Sequence, residues 1–319
     1  MIRWGILGAG TIAHRFAASL AQVEGAELVA ASRRTREKAE AFLAEVPSAQ
    51  NARAYGDHGA LLADPEVDAI YLALPHALHR EWALRAIEAG KAVLCEKPAM
   101  LSEAEAAEVT AEARSRRVLF MEAMKTRFVP LHGRVVSILP SLGPIQRVSA
   151  SLCNSMLDQL ERRDTYILDG GPGSGVLLDC GIYCASWLDE LLPGDIVVDG
   201  VSVERYRGSD VYVDAHPTIG GVPAELECAC DRAKPRRLVV EGARGTLIVD
   251  DLHRPQHAEV SFADGAVRSL DAPYDVDDFY GQITHFCNLL RAGSLESPQM
   301  PHAATLRCAR ILDAVRAAW

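Results

Sequence analysis

The sequence has no apolar run long enough to cross a bilayer and no two cysteines spaced as CxxC. A membrane-spanning helix needs about 20 apolar residues, and glycines interrupt the N-terminal "MIRWGILGAG" too early for a signal peptide. Zinc-ribbon and redox-motif spacings are therefore absent from the eight cysteines. We expect reduced, buried thiols in a cytoplasmic protein that is not bound to a membrane.

Positive charge is also scarce, because 33 Lys and Arg stand against 43 Asp and Glu, a formal net charge of −10. Binding to a nucleic-acid backbone depends on clustered cations that displace counterions, so we expect no nucleic-acid partner. The remaining composition, 49% hydrophobic and 24% charged, is that of an ordinary globular protein. At 319 residues, the chain exceeds the usual size of one hydrophobic core, which predicts two domains.

The first 120 or so residues alternate short apolar runs with amphipathic stretches, such as "IRWGILGA", "TIAHRFAASLAQV", "AELVAAS" and "TREKAEAFLAEV". This rhythm is typical of a doubly wound parallel sheet with helices on both faces. Beyond about residue 125, apolar segments such as "IQRVSASLC", "RRLVVEG" and "GTLIVDD" follow one another without helices between them. The second half therefore predicts a large, mostly antiparallel open sheet, and the fold class is α/β.

A glycine motif stands between the first predicted strand and the first predicted helix. Gly8, Gly10 and Ala13 form G-A-G-T-I-A, and the backbone N–H groups of Thr11 and Ile12 at the helix start could receive a pyrophosphate. A plain tight turn is the alternative. The strand-turn-helix context favours a dinucleotide-binding site.

The end of the second predicted strand indicates which dinucleotide is bound. A site for NAD usually places a carboxylate there to hold the ribose 2′-hydroxyl, whereas this chain has Ser32, Arg33 and Arg34. A hydroxyl and two guanidiniums would bind a 2′-phosphate through charge-assisted hydrogen bonds. NADP is therefore the predicted cofactor, with a solvated basic turn as the alternative.

Two further strand ends are candidates for the same site. "LALPHALHR" places Leu74, Pro75, His76 and His79 after one strand, and we expect this loop to cover the nicotinamide half of the cofactor. Histidines three apart could also bind a metal, but no third ligand has suitable spacing, so we predict no metal.

"AVLCEKP" ends the next strand on Glu96 and Lys97, directly before Pro98. Ligands of open parallel sheets bind outside the carboxyl ends of the strands. Because Pro98 disfavours helix at Lys97, it would aim the ammonium reproducibly. Lys97 is thus either a surface residue or a charge used by the site.

In the second half, "GGPGSGVLLDCGIYCASWL" combines a glycine-rich entry with an apolar helix. Asp179 and Tyr183 are four residues apart and would share one helix face. Their spacing fits two interpretations equally well: a network of hydrogen bonds in the protein core, or the wall of an active site.

Taken in order, "GAGTIA", "AVLCEKP" and "GGPGSGVLLDCGIYC" make the chain resemble the glucose-fructose oxidoreductase/inositol dehydrogenase (Gfo/Idh/MocA) family. The resemblance is strongest to its dihydrodiol and NADP-linked D-xylose dehydrogenase branch. It implies a Rossmann domain over residues 1–123 and a substrate-binding and oligomerisation domain over 124–319, whose C-terminal helix is free to pack back on the first. It also implies a homodimer or homotetramer formed through the C-terminal sheet.

Carried over residue by residue, the resemblance makes Lys97 and Tyr183 catalytic, with Asp179 orienting substrate or lysine and Arg127 near the cofactor. Tyrosine ordinarily titrates near pH ~10, and an adjacent ammonium would favour the phenolate needed for proton transfer. The predicted reaction is hydride transfer between NADP and a carbinol or carbonyl carbon of a small-molecule substrate.

One departure from that branch bears on the substrate. Lys125 stands where the branch has an aromatic residue, which favours a polar or anionic substrate, such as a sugar or polyol, over an aromatic dihydrodiol. A non-catalytic, dinucleotide-sensing regulator of the same fold is the alternative. Glycoside cleavage by transient oxidation would require tightly held NAD, against which Ser32, Arg33 and Arg34 argue.

Overall fold

The computed structural model describes residues 1–163 and 165–319, which form two compact units. The first unit comprises Met1–Met100, Ala104–Met124 and Asp275–Thr305. The second comprises Leu101–Glu103, the described part of Lys125–Tyr274 and Leu306–Trp319. Residues 275–305 thus group with the first unit, whereas the sequence-based boundary placed them in the second domain.

The first unit contains a sheet of six parallel strands in the order β3-β2-β1-β4-β5-β6. The predicted parallel Rossmann-type sheet is confirmed. Its strands are β1 Ile2–Leu7, β2 Ala26–Ser32, β3 Arg53–Tyr55, β4 Ala69–Leu72, β5 Ala92–Glu96 and β6 Phe120–Ala123. Because strand order reverses between β1 and β4, the carboxyl ends of these two strands flank a crevice in which such sheets bind ligands.

The helices that accompany this sheet follow the expected alternation. They are α1 Thr11–Leu20, α2 Arg36–Ala44, α3 His58–Leu62, α4 His79–Glu88, α5 Glu103–Arg116 and α9 Tyr280–Arg291. Helix α10, His302–Ala317, begins in the first unit and continues into the second.

An aromatic cluster fixes α1 and α9 to the sheet of the first unit. Trp4 of β1 is fully buried, 5.3 Å from the ring of Phe16 in α1 and 5.1 Å from the ring of Phe286 in α9. Phe16 also stacks on Tyr71 of β4 at 3.8 Å. Such rings bury large apolar areas, so this cluster fixes the start of α1, which follows the glycine motif.

The second unit contains the predicted large sheet, with eight strands in the order β14-β13-β12-β11-β7-β10-β9-β8. All neighbouring strands are antiparallel except β7 and β10, which are parallel, so the mostly antiparallel sheet is confirmed. Its strands are β7 Ile145–Cys153, β8 Ile196–Tyr206, β9 Ser209–Ile219, β10 Val222–Ala229, β11 Arg237–Gly242, β12 Gly245–Asp250, β13 His257–Phe262 and β14 Val267–Asp271. The unit also contains α6 Pro130–Ile138, α7 Leu157–Arg162 and α8 Ile182–Leu191.

Helix α8 packs against β7 and β10, in the middle of this sheet. A single π-helical turn, Leu177–Gly181, precedes it, where the sequence predicted ordinary helix. A Cβ atom on Gly181 would lie 2.9 Å from Leu177 Cδ1 and 3.2 Å from Cys228 Sγ. Glycine therefore lets the π turn lie close to β10, at the entry to the helix that carries Tyr183.

No helix in the described ranges 1–163 and 165–319 is both long and apolar enough to span a membrane. All eight cysteines are buried and carry free thiols.

Candidate active site

The glycine turn after β1 has the shape needed for a pyrophosphate. Gly8 has a φ of +85°, and a Cβ atom there would lie 2.6 Å from the carbonyl oxygen of Ala73. A Cβ atom on Gly10 would instead meet only the Gly8 carbonyl oxygen, at 4.0 Å. Gly10 is the N-cap of α1, with no side chain capping the helix. Open space and the positive end of α1, where Thr11 and Ile12 begin the helix, fit a dinucleotide pyrophosphate.

The three residues predicted to bind a 2′-phosphate differ in their surroundings. Ser32 is fully buried, and its Oγ lies 2.7 Å from Nδ1 of His58 and 3.3 Å from the Ile6 carbonyl oxygen, to which it donates. Arg33 is half-buried and Arg34 is exposed. Of the three, only the two arginines therefore present side chains at the surface of this turn.

His79 joins the loops that follow β4 and β5. Its Nε2 lies 2.7 Å from the Leu74 carbonyl oxygen, and its Nδ1 lies 2.9 Å from the Pro98 carbonyl oxygen. The ring is fully buried, and burial lowers the pKa of His79 although the backbone carbonyls oppose this shift. His79 thus holds the backbone of two predicted cofactor-binding loops together, instead of presenting a ring nitrogen at the surface. Its ring centre lies 5.7 Å from that of His76, which is also buried, while Pro75, directly before His76 in the loop after β4, is exposed.

Glu96 fixes the turn that carries Lys97. One carboxylate oxygen, Oε1, accepts a 2.5 Å hydrogen bond from the Tyr71 hydroxyl, and Oε2 accepts a 3.2 Å bond from the backbone N–H of Lys97. The Lys97–Pro98 peptide bond is cis. Glu96 is buried and Lys97 is half-buried. The carboxylate therefore contacts both the Tyr71 hydroxyl and the backbone of the turn that carries Lys97.

In the second unit, Tyr183 lies in the first turn of α8 and is 7% exposed. The ammonium nitrogen of Lys125 is 6.0 Å from the centre of the Tyr183 ring, and the His253 ring centre is 5.7 Å from it in an edge-to-face arrangement. Asp179 lies in the π turn, half-buried, and its Oδ2 accepts a 3.8 Å contact from Cys180 Sγ. Lys125 and His253 thus both lie beside the Tyr183 ring.

His253 was not among the residues predicted from the sequence. It reaches Tyr183 because two side chains hold the backbone after β12: Thr126 Oγ1 donates to the His253 carbonyl, and Trp187 Nε1 donates to the Leu252 carbonyl, each at 2.8 Å. No motif in "DDLHRP" indicates this placement, because it depends on contacts between segments far apart in sequence.

Arg127 anchors α8 in the second unit. Its guanidinium is buried, with Nε donating to Ser186 Oγ at 3.0 Å and Nη2 donating to Asp189 Oδ2 at 2.6 Å. Arg307 of α10 approaches the other oxygen of Asp189, at 3.4 Å. Burial raises the pKa of Asp189, and the guanidiniums of Arg127 and Arg307 oppose this shift. The cofactor contact that the resemblance implied for Arg127 stays a prediction.

The structure thus brings the predicted residues together in two groups. The first group lies in the first unit and follows strands whose carboxyl ends meet at one edge of the parallel sheet. It consists of the glycine turn, Arg33 and Arg34, the loop 74–76, and Lys97. In the second unit, Tyr183 lies with Lys125 and His253. Within the described parts of both units, no three His, Cys, Asp or Glu side chains are grouped so that they could hold a metal ion.

Comparison with known proteins agrees with this architecture. Residues 2–124 match the model of an oxidoreductase family with an NAD-binding Rossmann fold. The chain is 30% identical to the scyllo-inositol 2-dehydrogenase (NADP(+)) of Bacillus subtilis and to the trans-1,2-dihydrobenzene-1,2-diol dehydrogenase of Mus musculus, covering 99% of this chain and 96% of each relative. The crystal structure of a 3-ketoreductase from Actinomadura kijaniata in complex with NADP and TDP-benzene superposes with a TM-score of 0.88 at 28% identity, covering 99% of this chain and 97% of that one.

Proposed function

The chain belongs to the Gfo/Idh/MocA family of oxidoreductases, and on that premise we propose that it transfers a hydride between NADP and a carbinol or carbonyl carbon of a sugar, polyol or related cyclic alcohol. One observation carries the proposal: the glycine turn, the basic turn and Lys97 all follow strands of one parallel sheet at its carboxyl edge. In this proposal, residues 1–123 bind the dinucleotide and residues 124–319 bind the substrate.

Two observations support NADP as the cofactor: the basic turn that contains Arg33 and Arg34, and the cofactor named for related enzymes. Arg33 and Arg34 offer guanidiniums to a 2′-phosphate, and no carboxylate ends β2 to hold a 2′-hydroxyl, because that strand ends at Ser32. Two relatives carry NADP(+) in their names: the Bacillus dehydrogenase and the D-xylose 1-dehydrogenase of Hypocrea jecorina. The second is 28% identical to this chain, over 94% of this chain and 87% of its own length.

The chemistry assigned to the chain's own residues is proton transfer and orientation. Bound NADP would supply the hydride acceptor or donor. Tyr183 would take the carbinol proton during oxidation and return it during reduction, while Lys97 would donate a hydrogen bond to the same substrate oxygen. Asp179 would orient the substrate or Lys97. The turn fixed by Glu96 and the helix anchored by Arg127 would hold these groups in place.

A Tyr183→Phe variant tests the assignment directly. The substitution removes the proton-transferring hydroxyl but keeps the ring, so we expect kcat to fall by about 10²- to 10⁴-fold while NADPH binding stays close to wild type. Turnover should be measured with a panel of sugars and polyols, first with NADP and then with NAD, and binding by NADPH fluorescence. Tyr206→Phe is the matched control, because Tyr206 is a surface residue of β8 bonded to Glu161, and it should keep full activity.

Two results would overturn the proposal. If Tyr183→Phe kept the full turnover rate, Tyr183 could not be the residue that transfers the proton. NADPH binding by the wild type without oxidation or reduction of any substrate would instead support a dinucleotide-sensing regulator of the same fold.

We also propose that the protein acts in the cytoplasm as a homodimer or homotetramer joined through the second sheet. Polar side chains of neighbouring strands interact there: Ser149 donates to Glu225 at 3.0 Å, and Ser151 and Tyr212 each donate to Glu227 at 2.9 Å. Sedimentation equilibrium would report a monomer if the proposal is wrong.

A further inference from the structure

Ser32 connects the two turns that are proposed to bind the dinucleotide. Its carbonyl oxygen accepts hydrogen bonds from the backbone N–H groups of Gly8, at 3.2 Å, and Ala9, at 3.4 Å, so the end of β2 holds the glycine turn. The next residue, Arg33, begins the basic turn, and its backbone N–H donates to the carbonyl oxygen of Tyr55, the last residue of β3, at 3.2 Å. A displacement of Ser32 would therefore disturb the backbone of both turns.

The hydroxyl of Ser32 makes its contacts inside the protein. Ser32 is fully buried, and its Oγ donates to the carbonyl oxygen of Ile6 at 3.3 Å and lies 2.7 Å from Nδ1 of His58. A hydroxyl has one proton, and Ser32 donates that proton to Ile6, so Nδ1 of His58 carries a proton and donates to Ser32. To bind a 2′-phosphate itself, the hydroxyl would have to leave both partners.

His58 is itself held by two neighbouring elements. It is the first residue of α3, whose N-cap is Asp57, and the Asp57 Oδ1 accepts a 2.7 Å hydrogen bond from the backbone N–H of Ala60. The half-buried imidazole lies edge to face against Trp82 of α4, with the ring centres 4.9 Å apart. Because both its backbone and its ring are fixed, His58 connects the Ser32 hydroxyl to α3 and α4.

From these contacts, and resting on the proposed use of NADP, we propose that His58 is a positioning residue for cofactor selectivity. It fixes Ser32, and Ser32 determines where the guanidiniums of Arg33 and Arg34 lie without binding the 2′-phosphate itself. NADP and NAD share the pyrophosphate, but only NADP has a 2′-phosphate for the arginines. Charge-assisted hydrogen bonds depend on distance and direction. Loss of the bond from His58 should therefore weaken the binding of NADP more than that of NAD.

Titration with NADPH and with NADH, followed by fluorescence, tests this proposal without a substrate. His58→Phe keeps a ring against Trp82 but removes the N–H donor. We expect the ratio of the Kd for NADH to the Kd for NADPH to fall by about 3- to 10-fold in this variant, the effect of losing one hydrogen bond. His58→Asn, whose side-chain N–H can occupy the position of Nδ1, should restore most of the ratio.

A double-mutant cycle distinguishes positioning by Ser32 from direct binding of the phosphate by Ser32. Ser32→Ala removes the hydroxyl that His58 holds, so it should lower the ratio about as much as His58→Phe does. Because both substitutions break the same bond, the double variant should lose no more than either single variant. If Ser32 bound the 2′-phosphate directly, Ser32→Ala would lower the ratio equally with and without His58, and that result would overturn the inference.

His285→Phe is the matched control. His285 is also a half-buried histidine of the first unit, and its Nε2 lies 2.8 Å from the Oγ of a fully buried serine, Ser297. Neither residue belongs to the glycine turn or the basic turn, so this variant should keep the wild-type ratio.

The outcomes separate this inference from the proposed function. An unchanged ratio in His58→Phe, or an equal fall in His285→Phe, would overturn the role of His58 and leave the proposed function standing. Wild-type protein that bound neither dinucleotide, or bound both equally, would overturn the proposed cofactor and the inference together. Urea unfolding of each variant without ligand shows whether a change in the ratio occurs in a protein that is still folded.

Discussion

His132 illustrates how burial sets the charge of a single residue. The residue lies in α6, is 8% exposed, and its ring centre lies 5.0 Å from that of Trp187. Burial, assisted by the nearby Arg127 guanidinium, lowers the pKa of His132 from 6.5 to about 4. The imidazole is therefore neutral in the folded protein at physiological pH, and it packs as an aromatic ring beneath the helix that carries Tyr183.

This shift predicts how acid affects stability. Between pH 6.5 and about 4, the unfolded chain binds a proton at His132 that the folded chain does not bind. Stability therefore falls as pH decreases through this window, by up to about 3 kcal/mol from this residue. We expect His132→Phe, which keeps the ring but cannot be protonated, to lose less stability than wild type between pH 7 and pH 4.5.

Urea unfolding at each pH would measure the difference. His216→Phe is the control, because His216 is exposed in β9 and should leave the pH dependence of unfolding close to wild type. Parallel stability profiles for His132→Phe and wild type would contradict a neutral, buried His132.

At the scale of elements, the π turn and α8 together determine where Tyr183 lies. Gly181 ends the π turn, and the close approach of Leu177 and Cys228 leaves no room for a Cβ atom. Gly181→Ala should push the turn away from β10, with an overpacking cost of about 1 to 3 kcal/mol. Because Tyr183 follows two residues later, kcat should fall more than NADPH affinity. Urea unfolding and steady-state kinetics would measure both effects.

Gly133 provides a matched control for this substitution. It is exposed within α6, and a Cβ atom there would meet nothing within 4 Å. Gly133→Ala should therefore stabilise the protein by about 0.5 to 1 kcal/mol, since alanine favours helix over glycine, and leave kcat unchanged. If Gly181→Ala behaved in the same way as Gly133→Ala, the π turn would not restrict the position of Tyr183.

The sequence predicted those parts of the site that depend on local pattern. Gly8 and Gly10 stand between a strand and a helix, and Glu96 and Lys97 end a strand, so periodicity alone was enough to place them at the edge of the parallel sheet. Three other features could not be predicted in this way: the Ser32 hydroxyl lies against His58, His79 connects the loops after β4 and β5, and His253 lies beside Tyr183. Each depends on contacts between residues distant in sequence, which no local pattern encodes.

At the scale of the whole molecule, a bound dinucleotide should stabilise the folded chain in proportion to its affinity. A ligand that binds only the folded state adds RT ln(1 + [L]/Kd) to stability, about 2.7 kcal/mol at 100 times Kd. Because Arg33 and Arg34 lie at the surface of the turn after β2, the 2′-phosphate of NADP should contact them and NAD should lack that contact. At equal concentrations, NADP should therefore raise Tm by several degrees more than NAD.

Replacing both arginines, Arg33→Ala with Arg34→Ala, should remove most of this difference without lowering the stability of the protein free of ligand. Side chains at the protein surface, such as these two, contribute little to folding, so the variant separates cofactor recognition from stability. Arg268→Ala, an exposed change on β14, should keep the wild-type difference between NADP and NAD. Thermal unfolding of the three proteins with each dinucleotide provides the comparison. An equal rise in Tm with NADP and NAD in the wild type would show that the basic turn does not bind the 2′-phosphate and that the protein does not prefer NADP to NAD.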